Sequence, residues 1–250
     1  MTRSPWPDNF PDAIIHAKVA ARDEHPSYLA AKSGDPEQAL LLAHALVSID
    51  AVERLEALLA NRMAILLPVI AEEIAGFNAI PDATAHIIGL LLQLPVAVGE
   101  IVQTNLVGHT RAPAFQRIVT PATFHGPVQQ GANYVLIDDH IGLGGTLANL
   151  RGHVESGGAY VIAVSTLTES RDACRISLRA ETRSMLWHLH GKELDGLWRN
   201  QFGYGIDCLT EIEAQNLCRQ PSVVAIENFL AKATIEARGR GLNPAAEAES

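Results

Sequence analysis

Residues 134 to 150, Tyr134-Val-Leu-Ile-Asp-Asp-His-Ile-Gly-Leu-Gly-Gly-Thr-Leu-Ala-Asn-Leu150, decide the fold. An apolar run reads as a strand over 134–139 and closes on two adjacent carboxylates, Asp138 and Asp139. A glycine-rich turn follows, and helical spacing then runs from Thr146 to about Glu155, where Gly157-Gly158 stops it. The next run, YVIAVSTLT (160–168), is a second strand. Strand, turn, helix and strand in that order form a βαβ unit, so the two strands are expected to be parallel. Their Val, Ile and Leu show no strict alternation, as in strands covered on both faces. The expected class is α/β, with a parallel sheet flanked by helices.

Working outward, MAILLPVI (63–70) and VAVGEIVQ (96–103) read as further strands. A helix opened by Pro81-Asp82 lies between them, ending near Leu92 before Pro95. Asp35-Pro36-Glu37-Gln38 opens a helical stretch reaching about Ala60, with a second cap near Ser48. Residues 104–133 are rich in Gly, Pro, Thr and His, and a stretch of that length is usually a functional lid or holds short elements. Residues 170–236 read as mostly helical, with a capping box at Thr210-Glu211-Ile212-Glu213. The organisation expected is one domain over 1–236: a core of about 60–170, a helical N-terminal region 1–60 and a helical hood 170–236. Residues 237–250 read as a flexible tail.

Composition narrows the function classes. The chain has 250 residues, 48% hydrophobic, with net charge -9. It has no dense Lys/Arg run, which argues against nucleic acid as a partner. Three cysteines without CxxC spacing suit a reducing compartment better than a disulfide scaffold. The longest apolar run, IIGLLLQLPVAVG, falls short of the ~20 residues a membrane span needs. The start MTRSPWPDNFPDA lacks an apolar signal core. A cytoplasmic protein without a membrane partner is expected.

Ligands of parallel sheets bind beyond the carboxyl ends of the strands. Gly142, Leu143, Gly144, Gly145 and Thr146 lead into a helix N-terminus, where free N–H groups and the dipole favour an anion. Two aspartates would repel that same anion, so they must face another part of the ligand. A ribose 5-phosphate meets both demands: hydroxyls toward Asp138 and Asp139, phosphate toward residues 142–146. A dinucleotide fingerprint lacks its third glycine here, and a P-loop lacks its lysine. A tight βα turn with surface aspartates is the plainer alternative.

The segment VLIDDHIGLGGTL resembles the signature of type I phosphoribosyltransferases: an apolar strand, two acidic residues, two further positions and a small Gly/Thr loop. The resemblance implies that Asp138 and Asp139 bind the ribose hydroxyls of phosphoribosyl pyrophosphate and act in catalysis, with residues 142–146 holding the 5-phosphate. Gly142 and Leu143 stand where the family usually has hydroxyl residues, so phosphate holding rests more on backbone amides. The activity implied is transfer of a phosphoribosyl group to a nitrogen base, with Mg²⁺ acting through ligand oxygens and pyrophosphate released. A homodimer is expected on the same ground. A non-catalytic sensor of phosphoribosyl pyrophosphate or a nucleotide is the alternative.

The resemblance also points to a pyrophosphate loop after an earlier strand. Ala75, Gly76 and Asn78 occupy that place, beside Glu72 and Glu73. A lid is implied over 104–118, where His109, Arg111 and Arg117 can meet phosphate charge. Solvated loop side chains are the plainer reading for each. Ser170 and Arg171 follow the last strand. Phe202 and Tyr204, set among glycines, are candidates to stack on an acceptor base, against the ordinary account of core packing. His140 can titrate near neutrality. His188 and His190 have no partner at zinc spacing.

Overall fold

The computed structural model describes residues 3–73, 76–107, 112–242 and 244. Its centre is a parallel sheet in the order β1 (Ile14–Ile15), β8 (Tyr160–Glu169), β7 (Asn133–Ile141), β2 (Ile65–Pro68). Leu66 also bridges in parallel to Val96, so a short outer edge lies beyond β2. Leu66, Leu67, Val135, Leu136 and Ile137 are fully buried. Each contributes about 1.5–3 kcal/mol relative to exposure, which is why these runs form interior strands.

Before the sheet's centre come α1 (Val19–Asp23), α2 (Tyr28–Lys32), α3 (Pro36–Leu46) and α4 (Ile49–Leu59). Asp35 accepts from the amides of Glu37 and Gln38, and Pro36 sits at the helix start, as the sequence indicates. The N-terminal region is more than helical, because it also gives β1 to the sheet. After β2 come a small hairpin, β3 (Glu72–Glu73) and β4 (Gly76–Phe77), and then α5 (Ile80–Leu92). α5 ends at Gln93, which adopts the left-handed conformation.

The run 96–103 is not one strand. Val96 joins the main sheet edge, Gly99 turns the chain at φ +68°, and β5 (Val102–Gln103) pairs antiparallel with β6 (Phe124–His125). The segment 104–133 holds α6 (Ala114–Val119) as well as β6. α6 packs on the C-terminal helix α10 (Val223–Gly239), with Phe115 stacked on Phe229 at 5.1 Å. Gln116 Nε2 donates to Glu236 in the same contact. α7 (Gly145–Ser156) crosses from β7 to β8. α8 (Ala180–Phe202), kinked at Gly191, and α9 (Glu211–Cys218) complete the C-terminal part. No helix among the described residues is long and apolar enough to cross a membrane.

This topology places the site. From β2 the chain passes through α5 to the outer edge at Val96. From β7 it passes through α7 to β8, on the opposite side. Adjacent parallel strands whose connections leave in opposite directions open a crevice at their carboxyl ends. Here that crevice lies between the loop after β2 and the loop after β7.

Candidate functional site

The glycine loop after β7 forms as its sequence requires. Gly144 takes φ +80°, and a Cβ there would come within 3.2 Å of Ile176 and Thr210 side-chain carbons. Gly145, Thr146 and Leu147 open α7, so their amides have no intrahelical acceptor. Among the described residues no backbone or side-chain acceptor meets the amides of Leu143 and Gly144 either.

The carbonyls of this loop are held from behind. Thr210 Oγ1 donates to the Leu143 carbonyl, and Arg3 Nη2 donates to the Gly145 carbonyl at 3.4 Å. In a trans peptide the N–H points opposite to the preceding C=O. The Gly144 and Thr146 amides therefore face away from Thr210 and Arg3. Arg3 is itself fixed by Glu213, with Nη1 2.6 Å from Oε2 and both side chains 3% exposed. Glu213 also completes the capping box with Thr210, which forms as read from the sequence. These backing residues come from the two ends of the chain. The capping box was legible, but its contact with the glycine loop had no local signal.

Arg117, on α6, reaches the front of the loop. A Cβ built on Gly142 would lie 2.5 Å from Arg117 Nη1, so only glycine admits the guanidinium at that distance. Arg117 Nε donates to the Ala112 carbonyl at 3.0 Å. Among the described residues no carboxylate pairs with it, and partial burial pulls its pKa down. His140 lies beside it, with Nδ1 2.9 Å from Thr168 Oγ1 and Nε2 3.1 Å from Ser170 Oγ. Burial, with Arg22 nearby, lowers the His140 pKa, which favours the neutral ring. Arg171, by contrast, projects into solvent.

The aspartates depart from the expected geometry. β7 extends to Ile141, so Asp138 and Asp139 lie inside the strand, opposite β8, where Asp138 registers with Thr166. Both are buried, at 8% and 6% exposure, where an open strand end was expected. Asp138 Oδ1 accepts the Asp139 amide at 2.8 Å. Asp139 Oδ2 accepts from Lys32 Nζ at 2.9 Å. Burial and the adjacent Asp139 raise the Asp138 pKa well above the carboxylate range. Lys32 overrides the burial of Asp139 and holds it below that range. The two adjacent buried acids are thus pushed in opposite directions, Asp138 up and Asp139 down.

Lys32 gave no signal in the sequence, because α2 is remote from the motif and its lysine looks like a surface residue. Arg22 Nη1 also enters this region, donating to Thr168 Oγ1 at 2.9 Å. The Arg22 guanidinium packs over Tyr28 at 4.8 Å.

The other candidates separate. Gly76 adopts φ +121°, and a Cβ there would meet the Ser33 carbonyl at 2.7 Å. Asn78 is buried and its Oδ1 accepts the Ile80 amide at 3.2 Å, an Asx-type turn leading into α5. Ala75, His109 and Arg111 lie outside the described residues. Phe202 and Tyr204 are core residues, each 5% exposed. Phe202 packs on Trp198 at 4.7 Å, and Tyr204 lies under the Arg3 guanidinium at 4.9 Å. The apolar surface of both rings is consumed by the C-terminal core, so neither presents a face to an acceptor base.

No family model matches the chain. It is similar to Protein TraN of Escherichia coli, 38% identical over 238 residues, covering 95% of this chain and 53% of TraN. It is also similar to an uncharacterized protein of Haemophilus influenzae, 42% identical over 152 residues, covering 61% of this chain and 34% of that protein. The chain thus spans about half the length of the first relative and about a third of the second. Similar solved structures include an adenine phosphoribosyltransferase at 16% identity and TM-score 0.34, covering 55% of this chain and 72% of that one. A purine phosphoribosyltransferase from Pyrococcus horikoshii matches at 15% identity and TM-score 0.32, covering 49% and 82%. Likeness at these scores carries no argument about chemistry.

Proposed function

We propose that the crevice after β2 and β7 binds phosphoribosyl pyrophosphate and supports transfer of its phosphoribosyl group. One observation carries the reading. A single strand-to-helix crossing bears a cradle of outward amides and a diacid whose second acid lies three residues before Gly142, and Arg117 of α6 lies against that glycine. The 5-phosphate meets the amides of residues 143–147 and Arg117, and the ribose hydroxyls face Asp138 and Asp139. Burial biases Asp138 toward its protonated form, which can donate, and Lys32 biases Asp139 toward the carboxylate, which accepts.

Transfer breaks the bond between C1 and the pyrophosphate oxygen, and pyrophosphate leaves with that electron pair. The acceptor nitrogen then bonds C1 and loses its proton. Positive charge gathers at C1 and the ring oxygen in between. The Asp139 carboxylate is already oriented by Lys32 and adds a favourable field without reorganising. The phosphate grip fixes the sugar and supplies orientation. Among the described residues no cluster of three His, Cys, Asp or Glu could hold a metal, and Asp139 already pairs with Lys32. These donors fit Mg²⁺ as an ion carried mainly on ligand phosphates, the mode this ion favours. Mg²⁺ bound there would supply charge neutralisation to the pyrophosphate.

A second reading, a sensor that binds without turnover, is favoured by the burial of both aspartates and by the Lys32 pairing. Release of pyrophosphate from phosphoribosyl pyrophosphate and Mg²⁺, measured across a panel of purine and pyrimidine bases, separates the two. Turnover with one base, lost in D138N/D139N, supports transfer. Saturable binding without turnover for any base supports the sensor. Absence of binding overturns both.

A further inference from the structure

We infer that Ser170 is a nucleophile activated by His140, and that the pair cleaves an ester of a carboxylic acid through an acyl-serine. This activity is separate from the proposed phosphoribosyl transfer, with which it shares only Arg117. The strand register sets the pair up. His140 on β7 lies opposite Thr168 on β8, and side chains two apart along a strand share a face. Thr168 and Ser170 therefore both stand beside the imidazole. Its Nδ1 lies 2.9 Å from Thr168 Oγ1, and its Nε2 lies 3.1 Å from Ser170 Oγ.

The partners of Thr168 assign the tautomer. Thr168 Oγ1 carries a single hydrogen and donates it to the Asp139 carbonyl at 3.1 Å, which can only accept. The same oxygen accepts from Arg22 Nη1 at 2.9 Å. It has no hydrogen left for the ring, so Nδ1 of His140 carries the proton and donates to Thr168. Burial, with Arg22 close by, disfavours a second proton on the ring. Nε2 of the neutral ring offers its lone pair, and the Ser170 hydroxyl donates to it. A hydroxyl bonded to a base, with that base held by a third group, is the arrangement that activates a serine. The hydroxyl is also within reach of a substrate, since Ser170 is exposed while Thr168 is buried.

The electrophile follows from the surroundings. Gly142 presents a bare α-carbon to both partners: a Cβ there would stand 3.7 Å from Ser170 Oγ and 2.5 Å from Arg117 Nη1. An oxyanion formed on a carbon bonded to Ser170 is therefore met by one guanidinium. One cation suits the single charge that develops on an acyl group, whereas a phosphoryl group spreads charge over three oxygens and is served by several cations. In the first step Ser170 Oγ bonds the acyl carbon as His140 Nε2 takes its proton. The alcohol leaves with the electron pair of the broken C–O bond and takes that proton. Water then repeats the attack with His140 as base, releasing the acid and restoring Ser170. Because both activities use Arg117, an ester and a sugar phosphate compete for this position.

Two probes test the assignment on the full chain: an alkyl fluorophosphonate, whose phosphorus bonds a reactive serine as fluoride leaves, and p-nitrophenyl acetate. Wild type is expected to take up a label, located at Ser170 by peptide mass spectrometry, and to release p-nitrophenolate faster than S170A. H140A should slow both labelling and release by about 10²–10⁴-fold, the scale of general-base catalysis. Ser170 is exposed, so S170A keeps the fold and decides the matter alone if H140A does not fold. No label at Ser170 in wild type, or ester cleavage equal in wild type and S170A, overturns the inference. So does labelling of Ser170 at the same rate in H140A, which marks an accessible but unactivated hydroxyl.

Discussion

Replacing Thr210 with valine keeps its shape and removes one hydroxyl that serves two partners. Thr210 Oγ1 accepts the Glu213 amide at 3.2 Å and donates to the Leu143 carbonyl. Loss of the N-cap bond costs about 1 kcal/mol. The Leu143 carbonyl loses its donor, and because this residue is only half-buried, water recovers part of the loss, leaving about 1 kcal/mol. The sum, about 2 kcal/mol, lowers the melting temperature by roughly 4–8 °C in a chain of this size. The larger consequence is functional. With the Leu143 peptide free to rotate, the Gly144 amide is no longer aimed outward, and affinity for inorganic phosphate should fall about 10-fold. T210S keeps the hydroxyl and should retain both stability and affinity within a factor of about 2. Thermal melting and phosphate calorimetry on the two variants measure this directly. T210V that melts lower yet binds phosphate as tightly as wild type would refute the peptide-orientation argument.

Three other outcomes follow from particular contacts. Gly142→Ala places a methyl 2.5 Å from Arg117 Nη1, so it should displace the arginine and weaken phosphate binding while shifting stability by less than about 1 kcal/mol; unchanged affinity would remove Arg117 from the site. Phe202→Ala should destabilise by about 3–5 kcal/mol in denaturant titration, with the acceptor preference of any surviving activity unchanged. His16 is buried with its ring bonded to Ser165 and to the Ser48 amide, and burial lowers its pKa to about 4. The folded state therefore favours the neutral ring. Its contribution is complete above the unfolded value near 6.5 and is lost as pH falls toward 4, about 3 kcal/mol in all. Urea titrations from pH 7 to 4 should show that decline, reduced in His16→Gln; an identical decline in the variant would refute it.

The sequence made the βαβ unit legible because its signals are local. Val135 to Ile137 form an uninterrupted buried run, Gly144 is needed for a left-handed turn, and Gly157-Gly158 ends α7. What the sequence hid is long-range. Lys32 meets Asp139 across 107 residues, and Arg3 meets Glu213 across 210. Neither pairing leaves a periodic trace in the chain. Phe202 and Tyr204 misled for a related reason. Glycines beside aromatics read as an open loop, but Gly203 caps α8 and turns both rings into the core. The diacid was readable as chemistry, while its burial was not. Strand length depends on pairing with β8, and β8 continues to Glu169.

The central claim is that an anion sits on the outward amides of residues 143–147 with a sugar against the diacid. Amide NMR of ¹⁵N-labelled protein titrated with phosphoribosyl pyrophosphate and Mg²⁺ tests it most directly. The account predicts saturable shifts led by Gly144, Gly145 and Thr146, with those of Asp139 and Lys32 following, and weakened binding in D138N/D139N. An open groove of about 420 Å³ lies elsewhere, at the ends of β1 and β8, lined by His16, Lys18 and Glu169 among others. Shifts confined to that groove, or none at the glycine loop at saturating ligand, would contradict the account.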